Sequence, residues 1–265
     1  MSFIVLSVYR KAKRLVYNSK YHKEVLTEMS TKAWIIFAAV CVVLFGGLII
    51  WSSRDKIDVS KVDTNKIQSA SKNSGNIADH VFGNKDSKVV LFEYGDFQCP
   101  GCGGAHPTVK TVTQKYEEQM GFVFRNFPLT TIHPNARAAA AAVEAAGLNG
   151  KYWQMHNLVF ESQNDWSDAS ASQRTTLFTQ YAVTAGVDAD TFTKTLTDKS
   201  PQINRKIDFD RALGGKIGVN STPTFYLNGK KLESDQYNSE EALEKTLLEA
   251  FKDAGISVPA DETKS

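Results

Sequence analysis

The residues of this chain best suited to chemistry are two cysteines in the sequence Cys99-Pro100-Gly101-Cys102. The chain has only three cysteines in 265 residues, and the third, Cys41, lies far away in an apolar stretch. A small secreted domain held together by disulfides carries more cysteines than this. Two thiols separated by two residues can pass between the dithiol and the disulfide form. The pair therefore predicts redox chemistry, and Cys41 is interpreted as a small apolar residue.

The residues around the pair predict that it lies at the start of a helix. Residues 89–94 are rich in β-branched and aromatic side chains and predict a buried strand. Pro100 suits the first position of a helix, where its missing N–H group costs nothing. Cys99 then lies where unpaired main-chain N–H groups point outward, and these stabilise a thiolate. Cys102 falls on the same face of the helix and can resolve a mixed disulfide formed at Cys99.

Two other interpretations of the cysteine pair stay open at this point. His106 follows Cys102 at a spacing that would give three ligands for zinc, but a structural zinc site needs four and no fourth is evident nearby. The pair could instead be a permanent structural disulfide, although the loop that it closes is too short to constrain much of the unfolded chain. Neither a metal nor a cofactor is predicted.

Residues 33–51 form a run of 19 residues without a charged side chain. At about 1.5 Å per residue, such a helix nearly crosses a hydrocarbon core of about 30 Å, and Trp34 and Trp51 lie near its ends. Seven Lys and Arg residues precede it within residues 1–32. Because such residues stay on the cytoplasmic side, we predict a single-pass signal anchor in the cell membrane with the remaining chain outside the cytoplasm. Residues 1–32 would form a cytoplasmic tail, unless translation starts at Met29.

Composition and charge argue against a nucleic-acid-binding protein. The chain carries 31 basic and 29 acidic residues, for a net charge of +2, and has no clustered basic face of the kind that binds nucleic acid. Residues 52–76 are polar and predict a flexible linker. Residues 257–265 are predicted to form a C-terminal tail. No dimerisation element is visible, so we expect a monomer.

The rest of the sequence predicts an α/β fold. Residues 121–128 form a second strand, and a helix over 105–119 joins it to the first in a βαβ-type unit. About four helices follow over 135–197, and then a helix over 203–216. Asn228-Gly229 separates two short strands, which is a strong hairpin signal, and a helix over 239–254 closes the chain. These elements predict a mixed sheet flanked by helices and interrupted by an all-α insertion.

Five segments in this order resemble the DsbA family of thiol-disulfide oxidoreductases, which have a thioredoxin-like fold. They are VVLFEYGDFQCPGC at 89–102, FRNFPL at 124–129, HPNA at 133–136, GKYWQMH at 150–156 and GVNSTPTF at 218–225. The resemblance covers residues 77–255. It implies a thioredoxin-like domain formed by residues 77–132 and 201–256, with an inserted helical domain over residues 133–200.

The resemblance also implies roles for individual residues. Cys99 would be the nucleophile and Cys102 the resolving thiol of a redox-active disulfide. Pro223 would follow a cis peptide bond and pack against the pair, while the main chain of Thr222 would pair with an extended substrate. Glu93 corresponds to a buried acid that moves protons for the resolving thiol. The implied partners are exported polypeptides with thiols and a membrane protein that restores the redox state.

One departure from the family concerns the direction of electron flow. Gly101 stands where many members have His, so stabilisation of the thiolate is expected to be weaker and the pair less strongly oxidising. The expected function is to introduce disulfides into exported proteins. The alternatives are a reductase or isomerase with the same fold, and an anchored peptide-binding module whose cysteines form a structural disulfide.

Overall fold

The computed structural model describes residues 31–54 and 57–258, and it divides the chain into two units, Met1–Lys56 and Ile57–Ser265. The predictions for residues 1–30, for a start at Met29 and for residues 259–265 therefore lie outside the described residues.

The first unit contains one described helix, α1 (Thr31–Arg54). Its large apolar side chains from Trp34 to Phe45 are mostly exposed. Among the residues that the structure describes, no helix is long and apolar enough to cross a membrane. The transmembrane helix predicted over residues 33–51 is therefore not confirmed.

The second unit is built on a five-stranded mixed sheet with the strand order β1-β3-β2-β4-β5. The strands are β1 (Val81–Gly83), β2 (Val90–Gly95), β3 (Gly121–Asn126), β4 (Thr224–Leu227) and β5 (Lys230–Lys231). The two central strands, β2 and β3, are parallel, and the other neighbouring pairs are antiparallel. Residues of β2 and β3 are buried almost throughout, as expected for parallel strands covered on both faces.

The described part of the second unit contains eight α-helices. After α1 they are α2 (Pro100–Lys115), α3 (Ala136–Gly147), α4 (Tyr152–Glu161), α5 (Gln163–Trp166), α6 (Ala171–Thr184), α7 (Ala189–Asp198), α8 (Ser200–Lys216) and α9 (Glu240–Ala254). Helices α2 and α9 pack against each other, and α8 packs against β3. Helices α3 to α7 lie between β3 and α8 in the chain, so the α/β class predicted from the sequence, with a thioredoxin-like mixed sheet, is what the structure shows.

The first residues of the second unit correct one prediction. Residues 57–76 were expected to belong to a flexible linker over 52–76, but they pack on the second unit. Their apolar side chains join a small core around Tyr94, Phe127 and Phe209, and these side chains are Ile57, Val59 and Val62. Lys216 Nζ donates hydrogen bonds to the main-chain carbonyls of Ser60 (2.9 Å) and Val62 (2.7 Å).

Arg125 of β3 makes the deepest contacts with this segment. Its side chain is fully buried and donates to the carbonyls of Thr64 (2.6 Å) and Lys66 (2.7 Å). It also forms an ion pair with Asp79 at 2.9 Å, and Lys206 of α8 binds the other oxygen of the same carboxylate at 2.9 Å. The sequence did not indicate this docking, because the segment is polar and the residues that bind it lie at distant positions in the sequence.

Candidate active site at the start of helix α2

The first cysteine of the pair caps the helix that follows strand β2. Cys99 is the N-cap residue of α2, with an extended main chain (φ −69°, ψ 122°), and Pro100 is the first helical residue. The Cys99 N–H group donates to the carbonyl of Asp96 at 3.0 Å, which closes the turn between β2 and α2. The strand, turn and helix start predicted from the sequence are therefore in place, and Cys99 lies beside free N–H groups of the first helical turn.

The two sulfur atoms differ in surroundings. Both cysteines are free thiols, and Cys102 is fully buried whereas Cys99 keeps 9% of its surface exposed. The Cys99 thiol donates to the main-chain carbonyl of Thr222 at 3.3 Å. The Asp96 N–H group donates to Cys102 Sγ at 3.4 Å. An attacking thiol can thus reach Cys99 first, while Cys102 is shielded.

Hydrogen bonding and burial move the pKa values of the two thiols apart. The hydrogen bond with the Cys102 thiol is the main cause that lowers the pKa of Cys99 to about 5, and it outweighs the opposing effect of burial. Hydrogen bonds with Thr222 and with the first amides of α2 add to the effect. Burial raises the pKa of Cys102 well above its usual value. At neutral pH, Cys99 is therefore the thiolate and Cys102 the protonated thiol.

Glu93 lies on β2 and is buried, with 3% of its surface exposed. Burial raises the pKa of its carboxyl group to about 8, and the negative charge of Cys99 adds to this shift. The Glu93 charge in turn contributes to the raised pKa of Cys102. A buried carboxyl group with a pKa near neutrality can accept and return a proton close to the resolving thiol.

The segment before β4 faces the cysteine pair. The Thr222–Pro223 peptide bond is cis, in agreement with the family resemblance. A Cβ atom added to Gly101 would lie 3.2 Å from Pro223 Cδ and 3.6 Å from Cys99 Sγ. The structure thus brings Cys99, Gly101, Thr222 and Pro223 together at one surface. Thr222 and Pro223 are both partly exposed there.

Gln163 is a site residue that the sequence reasoning missed. It begins helix α5, and its Nε2 atom donates to the carbonyls of Phe97 (2.7 Å) and Cys99 (2.9 Å). A Cβ atom at Gly103 would stand 2.5 Å from Gln163 Oε1, so only glycine leaves room for this amide. The only sign of this contact in the sequence is Gly103, and a glycine by itself does not indicate which side chain packs against it.

The hydrogen bond between Asp96 and His133 was also not predicted from the sequence. In the sequence, Asp96 and His133 occur only within the segments 89–102 and 133–136, and neither was assigned a role. The Asp96 side chain is buried and its Oδ2 atom accepts from His133 Nδ1 at 2.8 Å. The two residues are 37 positions apart in the sequence, and nothing in the local pattern joins them.

A mixed sheet, a free cysteine pair at the start of the helix after a central strand, and a cis-proline facing that pair define a thiol-disulfide oxidoreductase of thioredoxin fold. The family model described as Thioredoxin matches residues 75–249, and the chain belongs to this family.

Comparisons with individual proteins agree with this family. BdbD from Bacillus subtilis, in its oxidised form, superposes with a TM-score of 0.56 at 22% identity, over 71% of this chain and 98% of that one. The alpha-DsbA1 protein of Wolbachia pipientis gives a TM-score of 0.55 at 23% identity, over 66% of this chain and 92% of that one. At these identities the likeness concerns the fold.

The similar curated proteins carry a different name. A Na(+)/H(+) antiporter NhaA 1 from Mycolicibacterium vanbaalenii is 37% identical over 153 residues, which is 57% of this chain and 23% of the antiporter. A protein of the same name from Salinispora arenicola is 36% identical over 173 residues, 65% of this chain and 25% of the antiporter. The chain thus spans about a quarter of the length of the curated relatives that it matches.

Proposed function

We propose that this protein introduces disulfide bonds into exported polypeptides through the Cys99–Cys102 pair. The observation that carries the proposal is the placement of the pair, with Cys99 partly exposed at the N-cap of α2 and Cys102 fully buried. The lowered pKa of the Cys99 thiol, about 5, agrees with it. A thiolate that is stable at neutral pH favours the reduced form of the pair, so the disulfide form is a better oxidant. Gly101 lacks the charge that a His would supply, but the hydrogen bond with the Cys102 thiol still lowers the pKa of Cys99.

The chemical steps follow from the positions of the two sulfur atoms. A substrate thiolate attacks Cys99 Sγ of the disulfide, which forms a mixed disulfide and breaks the bond to Cys102 Sγ. Cys102 leaves as a thiolate and takes up a proton, for which Glu93 is the nearby donor. A second substrate thiolate then attacks the substrate sulfur of the mixed disulfide and expels the Cys99 thiolate. The substrate loses two electrons and the cysteine pair gains them.

The substrate segment would lie along Thr222 and Pro223. Its main chain would pair with Thr222 in the manner of an added strand, while Pro223 packs beside Gly101 and leaves the exposed side of Cys99 open. When Cys99 is protonated, its thiol donates to the Thr222 carbonyl and joins the two segments in the free enzyme.

The proposed place of action is the outer side of the cell membrane, with residues 33–51 as an anchor. No described helix qualifies as a membrane span, so this part rests on the uncharged run of 19 residues, on the basic residues before it and on the exposed apolar side chains of α1. A monomer in that place would be reoxidised by a membrane redox partner. Fractionation of cells, followed by alkaline extraction of the membranes, tests the anchor.

Activity is tested with two substrates. The full-length protein should speed the recovery of reduced, unfolded ribonuclease A in a glutathione buffer more than it speeds the reduction of insulin by dithiothreitol. Cys99→Ser should abolish both activities, whereas Cys41→Ser should change neither, because the cysteine pair and the residues that contact it all belong to the second unit and Cys41 to the first. Faster insulin reduction without ribonuclease recovery would instead support the reductase alternative.

A further inference from the structure

The Asp96 peptide contacts both cysteines of the active site. Its carbonyl accepts a hydrogen bond from the Cys99 N–H group at 3.0 Å, and its own N–H group donates to Cys102 Sγ at 3.4 Å. The position of this peptide therefore sets the distance between its N–H group and Cys102 Sγ.

The Asp96 side chain fixes that peptide. Its Oδ1 atom accepts from the Gln98 N–H group at 2.8 Å. Its Oδ2 atom accepts from the Leu129 N–H group and from His133 Nδ1, both at 2.8 Å. The carboxylate is fully buried, and His133 is 15% exposed. Two of the three donors are main-chain groups that only a substitution to proline would remove, so the His133 imidazole is the one that a side-chain substitution can change.

The donor to Cys102 matters because this sulfur is fully buried. A thiolate at such a place needs N–H groups to replace the water that it has lost. Cys102 must become a thiolate whenever it attacks Cys99 Sγ or leaves it. A small rotation of the Asp96 peptide would withdraw its N–H group from Cys102 Sγ, which is already at 3.4 Å.

We propose that His133, acting through the Asp96 carboxylate, is a positioning residue for the Cys102 sulfur in the step that closes the Cys99–Cys102 disulfide. The inference rests on the proposed thiol exchange at this pair and deepens it. In that step the Cys102 thiolate attacks Cys99 Sγ of a mixed disulfide. The Cys99–Cys102 bond forms, the bond from Cys99 to the outer sulfur breaks, and the outer group leaves as a thiolate.

A single reaction separates this step from the first one. The reduced Cys41→Ser protein is mixed with 5,5′-dithiobis(2-nitrobenzoate) in a stopped-flow instrument, and the released nitrothiobenzoate is followed at 412 nm. The first release reports attack by Cys99, and the second reports attack by Cys102 on the mixed disulfide. Both use a small reagent, so no binding of a polypeptide is involved.

Two polar substitutions of His133 give opposite expectations. His133→Asn places an amide N–H group near the former Nδ1 atom and should keep the second release within about twofold. His133→Gln places its amide near the former Nε2 atom and should slow the second release about tenfold, the loss expected for a hydrogen bond to a charged group. The first release should stay within about twofold in both variants.

His80 supplies a matched control. It also pairs with a fully buried carboxylate, that of Glu144, at 3.0 Å, and it is 19% exposed. Because it binds through Nε2, His80→Asn removes its hydrogen bond, and this variant should leave both releases unchanged. Slowing by His80→Asn equal to that of His133→Gln would overturn the proposal in favour of general destabilisation.

Three further results of the stopped-flow experiment would overturn the role of His133. A second release unchanged in His133→Gln, or both releases slowed alike, would overturn the role of His133 and leave the proposed function standing. If the protein with native His133 gave no second release, the cysteine pair would not close, and the proposed function would fail together with this inference.

Discussion

The Cys99 thiol donates a hydrogen bond to the main-chain carbonyl of Thr222 at 3.3 Å, across 123 positions of the sequence. This contact joins the helix start that carries the nucleophile to the segment with the cis-proline. It places the reactive sulfur beside the main chain that would receive a substrate. The site is therefore made of two distant segments, and each contributes to the state of one sulfur atom.

The first prediction concerns the ionisation of Cys99. In the reduced protein, the thiolate absorbance at 240 nm should rise with a midpoint near pH 5. Cys102→Ala removes the hydrogen bond that is the main cause of the low pKa, so the midpoint should move to higher pH. Cys99→Ser should lose the transition. A midpoint above pH 8 in the unaltered protein would contradict the site as described.

The second prediction compares two adjacent glycines of α2. Gly103→Ala would place a Cβ atom 2.5 Å from Gln163 Oε1, so the amide must leave the carbonyls of Phe97 and Cys99. Gly104 has open space around it, and Gly104→Ala should raise the free energy of unfolding by about 0.5 to 1 kcal/mol through helix propensity. Gly103→Ala gains the same helix propensity but loses the two hydrogen bonds of Gln163, so its free energy of unfolding should lie about 1 to 3 kcal/mol below that of Gly104→Ala.

Urea unfolding and the ribonuclease assay would measure both variants. Gly103→Ala should also lose activity several-fold, because Gln163 no longer holds the Cys99 carbonyl. Equal effects of the two substitutions would show that the Gln163 contact contributes neither to stability nor to activity.

Local features of the sequence predicted most of the catalytic elements. Strand β2, the helix start at Pro100 and the hairpin at Asn228-Gly229 depend on residues that are close in the sequence. The three-residue strand β1 was missed, because it is held by main-chain pairing with β3 and has no pattern of its own. Hydrogen bonds from Gln163 and His133 to the active-site turn depend on the packing of the helical block, which no local pattern specifies.

The third prediction concerns the pH dependence of stability. The pKa of Glu93 rises from 4.5 to about 8 in the reduced folded protein. Between these values the unfolded chain ionises Glu93 while the folded protein keeps it protonated, so the free energy of unfolding falls as the pH rises. The total fall from this group is on the order of 4 to 5 kcal/mol.

Glu93→Gln should remove this fall. The free energy of unfolding of the variant minus that of the unaltered protein should increase from pH 4.5 to pH 8 and then level off, as measured by urea unfolding. Glu144 is a control of opposite sign: burial raises its pKa, but His80 and other partners outweigh burial and leave it lowered. Glu144→Gln should show no increase over the same range. A flat difference for Glu93→Gln would rule out the raised pKa.

The fourth prediction tests the docking of residues 57–76. Arg125→Met leaves the Asp79 carboxylate without one of its cations and removes the donors to Thr64 and Lys66. The free energy of unfolding should fall by about 3 to 5 kcal/mol. Limited proteolysis should then cut within residues 57–79 before the rest of the domain.

The matched surface control is Lys194→Met. Lys194 forms an exposed pair with Asp198 at 2.7 Å on α7, and its loss should change stability by less than about 0.5 kcal/mol. Protection of residues 57–79 in Arg125→Met as strong as in the unaltered protein would contradict the docking.

The measurement that tests the central claim most directly is the reduction potential of the Cys99–Cys102 pair, obtained by equilibration with glutathione buffers and alkylation of the free thiols. A stabilised Cys99 thiolate predicts a potential above that of thioredoxin, between about −120 and −200 mV. A potential at or below about −270 mV would contradict the proposed oxidase, because the pair would then give electrons to exported proteins.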